Sequence, residues 1–292
     1  MAEAPATFVW RDGALVERPL EAHRALLVAD SFFVSSEGRA RALETHHERF
    51  RAGIADRKPA SGSSAVERTA AGLPASSVLA ADVGPSWPAA EAVDAFWGAA
   101  IGRLRAYRGA ALFPRVELAA LEADGTPELR LRVRVAPRRR ESAVLTTHVG
   151  ADPRRVPRVK GPDLEHLLSL RAAAQENGAD EVVLLHDGLV VDGSSSAVLW
   201  WRGETLAAPA GDLARVSSVT ARSIRLIASA TGTRVVEERA RPADLEGCEV
   251  WVVSALHGIS VVDAWIDGPV VVVRPSRAAT WQKRLEALAR PL

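Results

Sequence analysis

The sequence predicts a protein of two lobes that mixes helices and strands, in the α+β or α/β class. Three observations support this prediction: helical and strand periodicities alternate along the 292 residues, 48% of the residues are apolar and 25% are charged, and the pattern breaks near the middle. The break lies at residues 137–157, which hold three prolines and a run of arginines. We therefore expect a smaller N-terminal domain at residues 1–137, a linker at 138–150 and a larger C-terminal domain at 151–292.

The N-terminal lobe is predicted to open with a β-hairpin, because Phe8 to Val16 has the pattern of two short strands around an Asp12-Gly13 turn. Leu43 to Ile54 carries apolar residues at helical spacing and is predicted to be an amphipathic helix. The next expected elements are, in order, a loop at residues 57–77, a helix from about Trp87 to Tyr107 that is capped by Ser86, and a strand at Leu129–Val135.

The C-terminal lobe is predicted to alternate helices and strands. Helices are expected at Leu164–Asn177, at Val219–Thr231 and from about Thr280 onward. Strands are expected at Glu181–His186, at Leu189–Val191 after an Asp187-Gly188 turn, and at Val250–Ser254.

Composition argues against several functional classes. The net charge of +1 provides no global field that would attract nucleic acid or an acidic membrane. The apolar runs fall far short of the roughly 20 residues that a transmembrane helix needs. A single cysteine, Cys248, and an N-terminus without the pattern of a secretory signal favour a cytoplasmic protein.

Short motifs follow one another along the chain and together resemble a known family. In the N-terminal lobe they are Trp10-Arg11-Asp12-Gly13, Asp30-Ser31-Phe32-Phe33-Val34 and His46-His47-Glu48-Arg49-Phe50. In the C-terminal lobe they are Lys160-Gly161-Pro162-Asp163-Leu164, residues 187–197, Ser217-Ser218-Val219-Thr220 and residues 254–259. In this order they resemble the class IV aminotransferases, which include branched-chain and D-amino acid aminotransferases and aminodeoxychorismate lyase. The resemblance extends from Phe8 to Gly268 and is weakest between residues 51 and 130.

The resemblance implies a fold type IV enzyme, similar to D-amino acid aminotransferase, that binds pyridoxal 5'-phosphate between its lobes. Lys160 stands where the family has the lysine that forms a Schiff base with the cofactor, which requires a primary amine. Lysine occurs only at Lys58, Lys160 and Lys283, and the other 34 of the 37 basic residues are arginine. Chance placement of a lysine at the motif position is therefore roughly a one-in-a-hundred event.

The resemblance also implies the ligands of the cofactor. Asp192 stands where the family has a glutamate that pairs with the pyridine nitrogen and keeps it protonated. The residues expected to anchor the phosphate are Arg49, Val219, Thr220 and Ser254, and Ser218 and Ala255 are also expected to contact the cofactor. His257 is a candidate substrate contact, with a structural role as the alternative. Family sites are completed by a second subunit, so a homodimer is expected.

The implied reaction moves an amino group between an amino acid and a 2-oxo acid. A first alternative is 4-amino-4-deoxychorismate lyase, because the same lysine and cofactor serve both reactions. A second alternative is a catalytically impaired binding protein of the same fold. It is motivated by three departures from the family pattern: Asp192 in place of glutamate, Ala197 in place of asparagine, and Tyr107 as the one tyrosine.

Two further features are weighed as candidate sites. His46-His47-Glu48 is not expected to bind metal, because adjacent residues on a helix point in different directions and no third ligand is suitably spaced. Arg130, Arg132 and Arg134 fall on one face of a strand and could line a pocket for an anion. We interpret them as a solvated sheet face.

Overall fold

A computed structural model describes residues 5–19, 23–59, 87–107, 109–121, 125–273 and 277–292. In chain order, the elements of the first lobe are β1 (Ala6–Arg11), β2 (Ala14–Glu17), β3 (His23–Ser31), β4 (Arg39–Ala40), α1 (Leu43–Arg57), α2 (Ala90–Leu104), β5 (Arg115–Leu121) and β6 (Pro127–Val133). Among the described residues, five of these strands form an antiparallel sheet in the order β2-β1-β6-β5-β3. One face of this sheet packs under α1 and α2 around a core that includes Phe50, Phe96 and Leu118.

The predicted hairpin and first helix are confirmed. Asp12 and Gly13 make the turn between β1 and β2 with φ angles of 48° and 81°, as a tight hairpin turn requires. The helix α2 begins at Ala90, three residues later than predicted, because Ala89 before it is extended. The predicted cap Ser86 and most of the predicted loop, residues 60–77, lie outside the described residues.

The second lobe contains the elements β7 (Ser142–Thr147), α3 (Leu164–Glu176), β8 (Glu181–His186), β9 (Leu189–Gly193), β10 (Ala197–Arg202), β11 (Thr205–Pro209), α4 (Val219–Ala230), β12 (Val235–Glu238), β13 (Glu249–Ser254), β14 (Gly258–Trp265), α5 (Ala278–Glu286) and β15 (Arg290–Pro291). Within the described residues, eight strands form a mixed sheet in the order β12-β11-β10-β13-β14-β7-β8-β9. A short pair, β15 with β4, joins the end of the chain to the first lobe. Each strand and helix predicted for this lobe is present within a few residues of its expected bounds.

The linker prediction requires a correction. Residues 142–147, which fall inside the predicted linker at 138–150, form β7 in the interior of the mixed sheet. β7 pairs in parallel with both β14 and β8, and it buries Ala143 and Leu145 against the core. The alternation of apolar residues in β7 is short and follows Pro137 and a run of three arginines, which obscures it in the sequence.

The mixed fold positions a cavity between the two sheets. The first lobe contributes the end of β3 and one face of α1, and the second lobe contributes the segment before α3, the end of β9 and the start of α4. Among the helices of the described residues, none combines the length and apolar character needed to span a membrane.

Candidate functional site

The segment that carries Lys160 is fixed against strand β3 of the first lobe. The carbonyl oxygen of Lys160 accepts a hydrogen bond from the backbone N–H of Ala29 at 2.7 Å. Gly161 has a φ of 133°, and a Cβ there would lie 2.6 Å from the Ala29 nitrogen. Only glycine tolerates this conformation and this close approach. Gly161 therefore lets the turn pack directly against β3, and this holds Lys160 where the two lobes meet. Asp163 stabilises the turn by accepting a hydrogen bond from the Val156 N–H at 2.9 Å.

A cavity of about 240 Å³ opens beside Lys160 and is lined by residues from both lobes. The structure brings all the predicted site residues to this cavity: Lys160, Arg49, Asp192, Ser218, Val219, Thr220, Ser254, Ala255 and His257. Lys58 and Lys283, in contrast, are exposed on the surface. Lys160 is therefore the lysine of this chain that lies within the cavity.

The environment of Lys160 favours its neutral amine. Burial lowers the pKa of the Lys160 ammonium, and the positive charge of Arg49 lowers it further. The carboxylates of Asp30 and Asp192 act in the opposite direction but do not cancel this effect. The neutral amine is the form of lysine that attacks a carbonyl carbon or accepts a proton, and a depressed pKa makes this form more abundant.

Arg49 joins the two lobes through a buried polar cluster. Its Nε and Nη2 donate to the two carboxylate oxygens of Asp30 at 2.8 and 2.9 Å, and its Nη1 donates to the Ser217 carbonyl at 2.9 Å. His46 Nδ1 lies 2.7 Å from Asp30 Oδ1. Burial alone would raise the pKa of Asp30, but the charges and hydrogen bonds of Arg49 and His46 outweigh it and hold that pKa below its usual range. Asp30 is therefore a carboxylate that orients Arg49.

The start of α4 and the loop after β13 form the wall next to Arg49. The Ser218 hydroxyl caps α4 by accepting from the Ala221 N–H at 3.2 Å, while Thr220 is buried in the first turn. The Ser254 hydroxyl accepts from the His257 N–H at 3.1 Å. A helix N-terminus beside an arginine and a serine hydroxyl is suited to an anion such as a phosphate group.

Asp192 lies at the end of β9 on another wall of the cavity. Its carboxylate accepts a hydrogen bond from Arg154 Nη1 at 3.3 Å, and Arg154 is itself held by Asp152 at 2.8 Å. Burial raises the pKa of Asp192 to about 7, although Arg154 and Arg215 counteract this effect. A basic ring nitrogen next to Asp192 would therefore share a proton with it.

A triple serine turn follows Asp192 and is held by one carboxylate. Glu181, which is fully buried at the start of β8, accepts hydrogen bonds from the hydroxyls of Ser194, Ser195 and Ser196. It also accepts from the Ser195 backbone N–H at 3.1 Å. Glu181 thereby fixes the serine loop that lines the cavity next to Asp192.

His257 faces the cavity and is also held by the backbone, so its two predicted roles are compatible. Its Nδ1 accepts from the Arg140 N–H at 3.1 Å. Burial, together with the charges of Arg140, Arg171 and Arg139, lowers the pKa of His257 to about 4. The imidazole is therefore neutral near pH 7 and carries its proton on Nε2.

The interpretation of Arg130, Arg132 and Arg134 as a solvated sheet face is wrong for two of the three. Arg130 is only 1% exposed, and its Nε donates to Glu128 at 2.7 Å. Arg134 lines the cavity beside Phe113 and Arg115. Alternation along β6 and the residue after it groups the arginines on one face, but it does not show what covers that face.

Several residues of the site were given no role in it from the sequence. Arg154 and Glu181 stand outside the quoted motifs, whereas Asp30, His46 and Gly161 stand inside them. Asp30 carried a usable signal, because an acidic residue ends the apolar run of β3. Arg154 cannot be distinguished in the sequence from the arginines near it. The role of Glu181 depends on contacts with residues 13 to 15 positions later.

Comparisons with known proteins agree with this geometry. The family model described as "Amino-transferase class IV" matches residues 103–265, more than half of the chain. No curated protein matches the chain.

Three solved structures share the fold at low sequence identity. A hypothetical aminotransferase from Mycobacterium tuberculosis in a PLP-bound form is 19% identical, with a TM-score of 0.73 and 98% of each chain covered. A mutant of the branched-chain amino acid aminotransferase from Thermobaculum terrenum is 16% identical, with a TM-score of 0.70 and 97% of each chain covered. A putative 4-amino-4-deoxychorismate lyase from Legionella pneumophila is 12% identical, with a TM-score of 0.71, and the match covers 93% of this chain and 96% of that one.

Proposed function

Because the chain belongs to the class IV aminotransferase family, we propose that it is a pyridoxal phosphate enzyme that moves an amino group between an amino acid and a 2-oxo acid. The observation that carries the proposal is the convergence of Lys160, Asp192 and the anion-binding groups around Arg49 on one cavity. These residues come from sequence positions far apart, so their convergence is a property of the fold.

The residues of the cavity fit the aldehyde, the ring nitrogen and the phosphate of the cofactor. The buried amine of Lys160 suits its aldehyde, and the carboxyl of Asp192 suits its pyridine nitrogen. Arg49, the N-terminus of α4 and Ser254 suit its phosphate. Pyridoxal phosphate, when bound, supplies an aldehyde that reacts with amines and a ring that accepts the electrons left when a proton leaves the substrate.

Lys160 would perform two tasks in this reaction. Its Nζ would hold the cofactor covalently, and the lowered pKa of the amine favours the neutral form that such a bond needs. Once free, the same Nζ would accept the proton from the substrate Cα as a general base and return a proton as a general acid. The hydrogen bond from Ala29 to the Lys160 carbonyl holds the main chain of Lys160 in place.

Asp192 and Arg154 would act at the opposite end of the cavity. The Asp192 carboxylate would hold a proton on the ring nitrogen of the cofactor, where a protonated ring accepts electrons more readily. Arg154 favours the ionised form of Asp192 and, through Asp152, fixes its orientation. Asp192 is one methylene shorter than the glutamate of the family. Arg154 and the serine turn bound to Glu181 would therefore position the Asp192 carboxylate.

A product assay tests the proposed reaction against both alternatives. The purified protein is loaded with pyridoxal phosphate and given amino acids with 2-oxo acids in one set, and aminodeoxychorismate in another. We expect new amino acid and 2-oxo acid products, and loss of these products in Lys160→Ala but not in Lys58→Ala. Release of 4-aminobenzoate as the efficient reaction would instead identify the lyase, and a protein that stays colourless with excess cofactor would identify the binding protein.

We also propose that the protein is a homodimer in the cytoplasm, as the family resemblance implies. Sedimentation equilibrium of the cofactor-loaded protein should give twice the chain mass of 31.2 kDa. A mass of one chain at micromolar concentration, with amino transfer intact, would reject the homodimer.

A further inference from the structure

The wall of the cavity that is proposed to hold the cofactor phosphate carries little net charge of its own. Arg49 is paired with the buried Asp30 carboxylate through two hydrogen bonds, so their charges cancel. Burial lowers the pKa of His46, which is therefore neutral near pH 7. A phosphate group brings a charge of about −2, and the N-terminus of α4 offers only about half an elementary charge. A further positive charge close to this wall would therefore stabilise a bound phosphate.

Arg41 lies directly behind this wall. It lines a second, narrow cavity of about 10 Å³, and four residues line both this cavity and the main one: His46, Val219, Thr220 and Ala255. Burial is the main cause of the lowered pKa of His46, and the charge of Arg41 adds to it, so the field of Arg41 reaches the wall. One layer of residues thus separates Arg41 from the space proposed for the phosphate.

Arg41 has no carboxylate partner in the described part of the chain. Its Nη2 donates to the Ala255 carbonyl at 3.1 Å, and its buried Nη1 has no hydrogen-bond partner there. The neighbouring Arg139, in contrast, is paired with Glu286 at 3.0 Å. Burial and the charge of Arg139 lower the pKa of Arg41 to about 10, although Glu286 counteracts them, so Arg41 stays protonated near pH 7. Arg41 therefore provides a positive charge behind the wall that no carboxylate cancels directly.

Arg41 also helps to fix the turn between β13 and β14. Because a peptide unit is planar and trans, an Ala255 carbonyl that points to Arg41 turns the N–H of Leu256 in the opposite direction. Arg139 holds the same turn by donating to the His257 carbonyl at 3.2 Å. The turn lines the main cavity on its other side, so Arg41 supports the wall through both a charge and a hydrogen bond.

We propose that Arg41 is a positioning residue of the phosphate site, which stabilises the cofactor phosphate by its charge from behind the residues that contact it. This inference rests on the proposed function, which places the phosphate between Arg49, the start of α4 and Ser254. Arg41 does not line the main cavity, so it acts through the Ala255 peptide and through its electric field. Binding of a ligand that lacks the phosphate should therefore not depend on Arg41.

Absorbance titration of the cofactor-free protein with pyridoxal 5'-phosphate and with pyridoxal tests this assignment. The two molecules share the ring and the aldehyde, and pyridoxal lacks the phosphate. We expect Arg41→Met to weaken the binding of pyridoxal 5'-phosphate about tenfold or more, because one charge close to a dianion is lost from a partly buried site. The affinity for pyridoxal should stay unchanged. Arg41→Lys keeps the charge and should restore most of the affinity for pyridoxal 5'-phosphate.

Arg39→Met is the matched control, because the Nη2 of Arg39 also donates to a backbone carbonyl, that of Ala289 at 2.7 Å, but Arg39 lines neither cavity. It removes the same charge and should leave both affinities unchanged. Glu286→Gln moves the charge in the opposite direction, because it takes the anionic partner from Arg139, and it should tighten the binding of pyridoxal 5'-phosphate. Glu286 is exposed near the end of α5, so this variant tests the proposal even if Arg41→Met does not fold.

The proposal is overturned if Arg41→Met binds pyridoxal 5'-phosphate as tightly as wild type, or if it weakens pyridoxal to the same extent. It is also overturned if Arg41→Lys restores nothing, if Arg39→Met has the same effect as Arg41→Met, or if Glu286→Gln does not tighten binding.

The titrations need no turnover, so they separate this proposal from the proposed function. A phosphate preference that depends on Arg41, in a protein that transfers no amino group, would retain the role of Arg41 and reject the aminotransferase. Amino transfer by a protein whose affinity for pyridoxal 5'-phosphate does not depend on Arg41 would do the reverse.

Discussion

At the scale of single residues, Arg49 has two roles, and a single substitution would remove both at once. It neutralises the buried Asp30 carboxylate and is proposed to bind the cofactor phosphate. Arg49→Ala should therefore lower the free energy of unfolding by about 3–5 kcal/mol, because it leaves a buried charge that keeps, among the described residues, His46 as its hydrogen-bond partner. It should also weaken cofactor binding.

The double variant Arg49→Ala with Asp30→Asn separates these two effects. Removing the buried charge should restore much of the stability in urea unfolding, while the affinity for pyridoxal phosphate, measured by equilibrium dialysis, stays low. If the double variant binds the cofactor as tightly as wild type, Arg49 does not bind the phosphate.

The raised pKa of Asp192 predicts that the stability of the cofactor-free protein depends on pH. The folded chain raises the pKa of this carboxyl to about 7 from an ordinary value of 3.8, so the folded state holds the proton more tightly than the unfolded state. Its stabilising contribution is complete below pH 4 and is lost as the pH rises through about 7. Asp192→Asn does not titrate, so its stability relative to wild type should increase between pH 4 and pH 8, by at most about 4 kcal/mol.

Urea unfolding of both cofactor-free proteins at pH 5 and pH 8 measures this effect. Loss of the partner of Arg154 lowers the stability of the variant at both pH values, so the informative quantity is the change in the difference between the proteins. A difference that does not change with pH would show that the Asp192 carboxyl is not desolvated as the structure describes.

At the scale of elements, the turn that carries Lys160 depends on glycine. Gly161→Ala would bring a Cβ to 2.6 Å from the Ala29 nitrogen and 2.8 Å from the Val28 carbonyl carbon, so the turn and β3 must separate. We expect a loss of about 1–3 kcal/mol in the free energy of unfolding. We also expect weaker cofactor retention, because the peptide of Lys160 moves with the turn.

Gly203→Ala is the control for backbone strain alone. Gly203 has a φ of 57° in the turn between β10 and β11, and a Cβ there has no neighbour within 4 Å. It should lose stability through its positive φ but keep the cofactor affinity of wild type. Equal cofactor affinity in the Gly161 and Gly203 variants would contradict the role assigned to Gly161.

Elements were predictable from sequence where their own residues carry the pattern. The β1–β2 hairpin, α1, β8 and α4 follow from turn residues, helical spacing and capping within each segment. β7 was missed because its support comes from β14, more than 100 residues later, and from β8. Pairing partners at such separations are a property of the whole fold and leave little trace in the strand itself.

At the scale of the whole molecule, the two lobes meet through the residues that form the site. Arg49 of the first lobe bonds to Ser217 of the second, and Ala29 of the first bonds to Lys160 of the second. The residues chosen from the motifs all line one cavity, because the motifs follow one another in an order typical of one family. They could not predict the supporting partners Asp30, Arg154 and Glu181, whose roles depend on contacts between distant segments.

The measurement that tests the central claim most directly is the chemical trapping of the cofactor on the chain. Borohydride reduction of the cofactor-loaded protein makes the covalent link between cofactor and amine permanent, and peptide mapping then locates it. We predict that the cofactor is found on Lys160, and that Lys160→Ala and Lys160→Arg, while still folded, show neither trapping nor the visible absorbance band. Cofactor on Lys58 or Lys283 instead, or trapping that persists in Lys160→Ala, would contradict the account of this site.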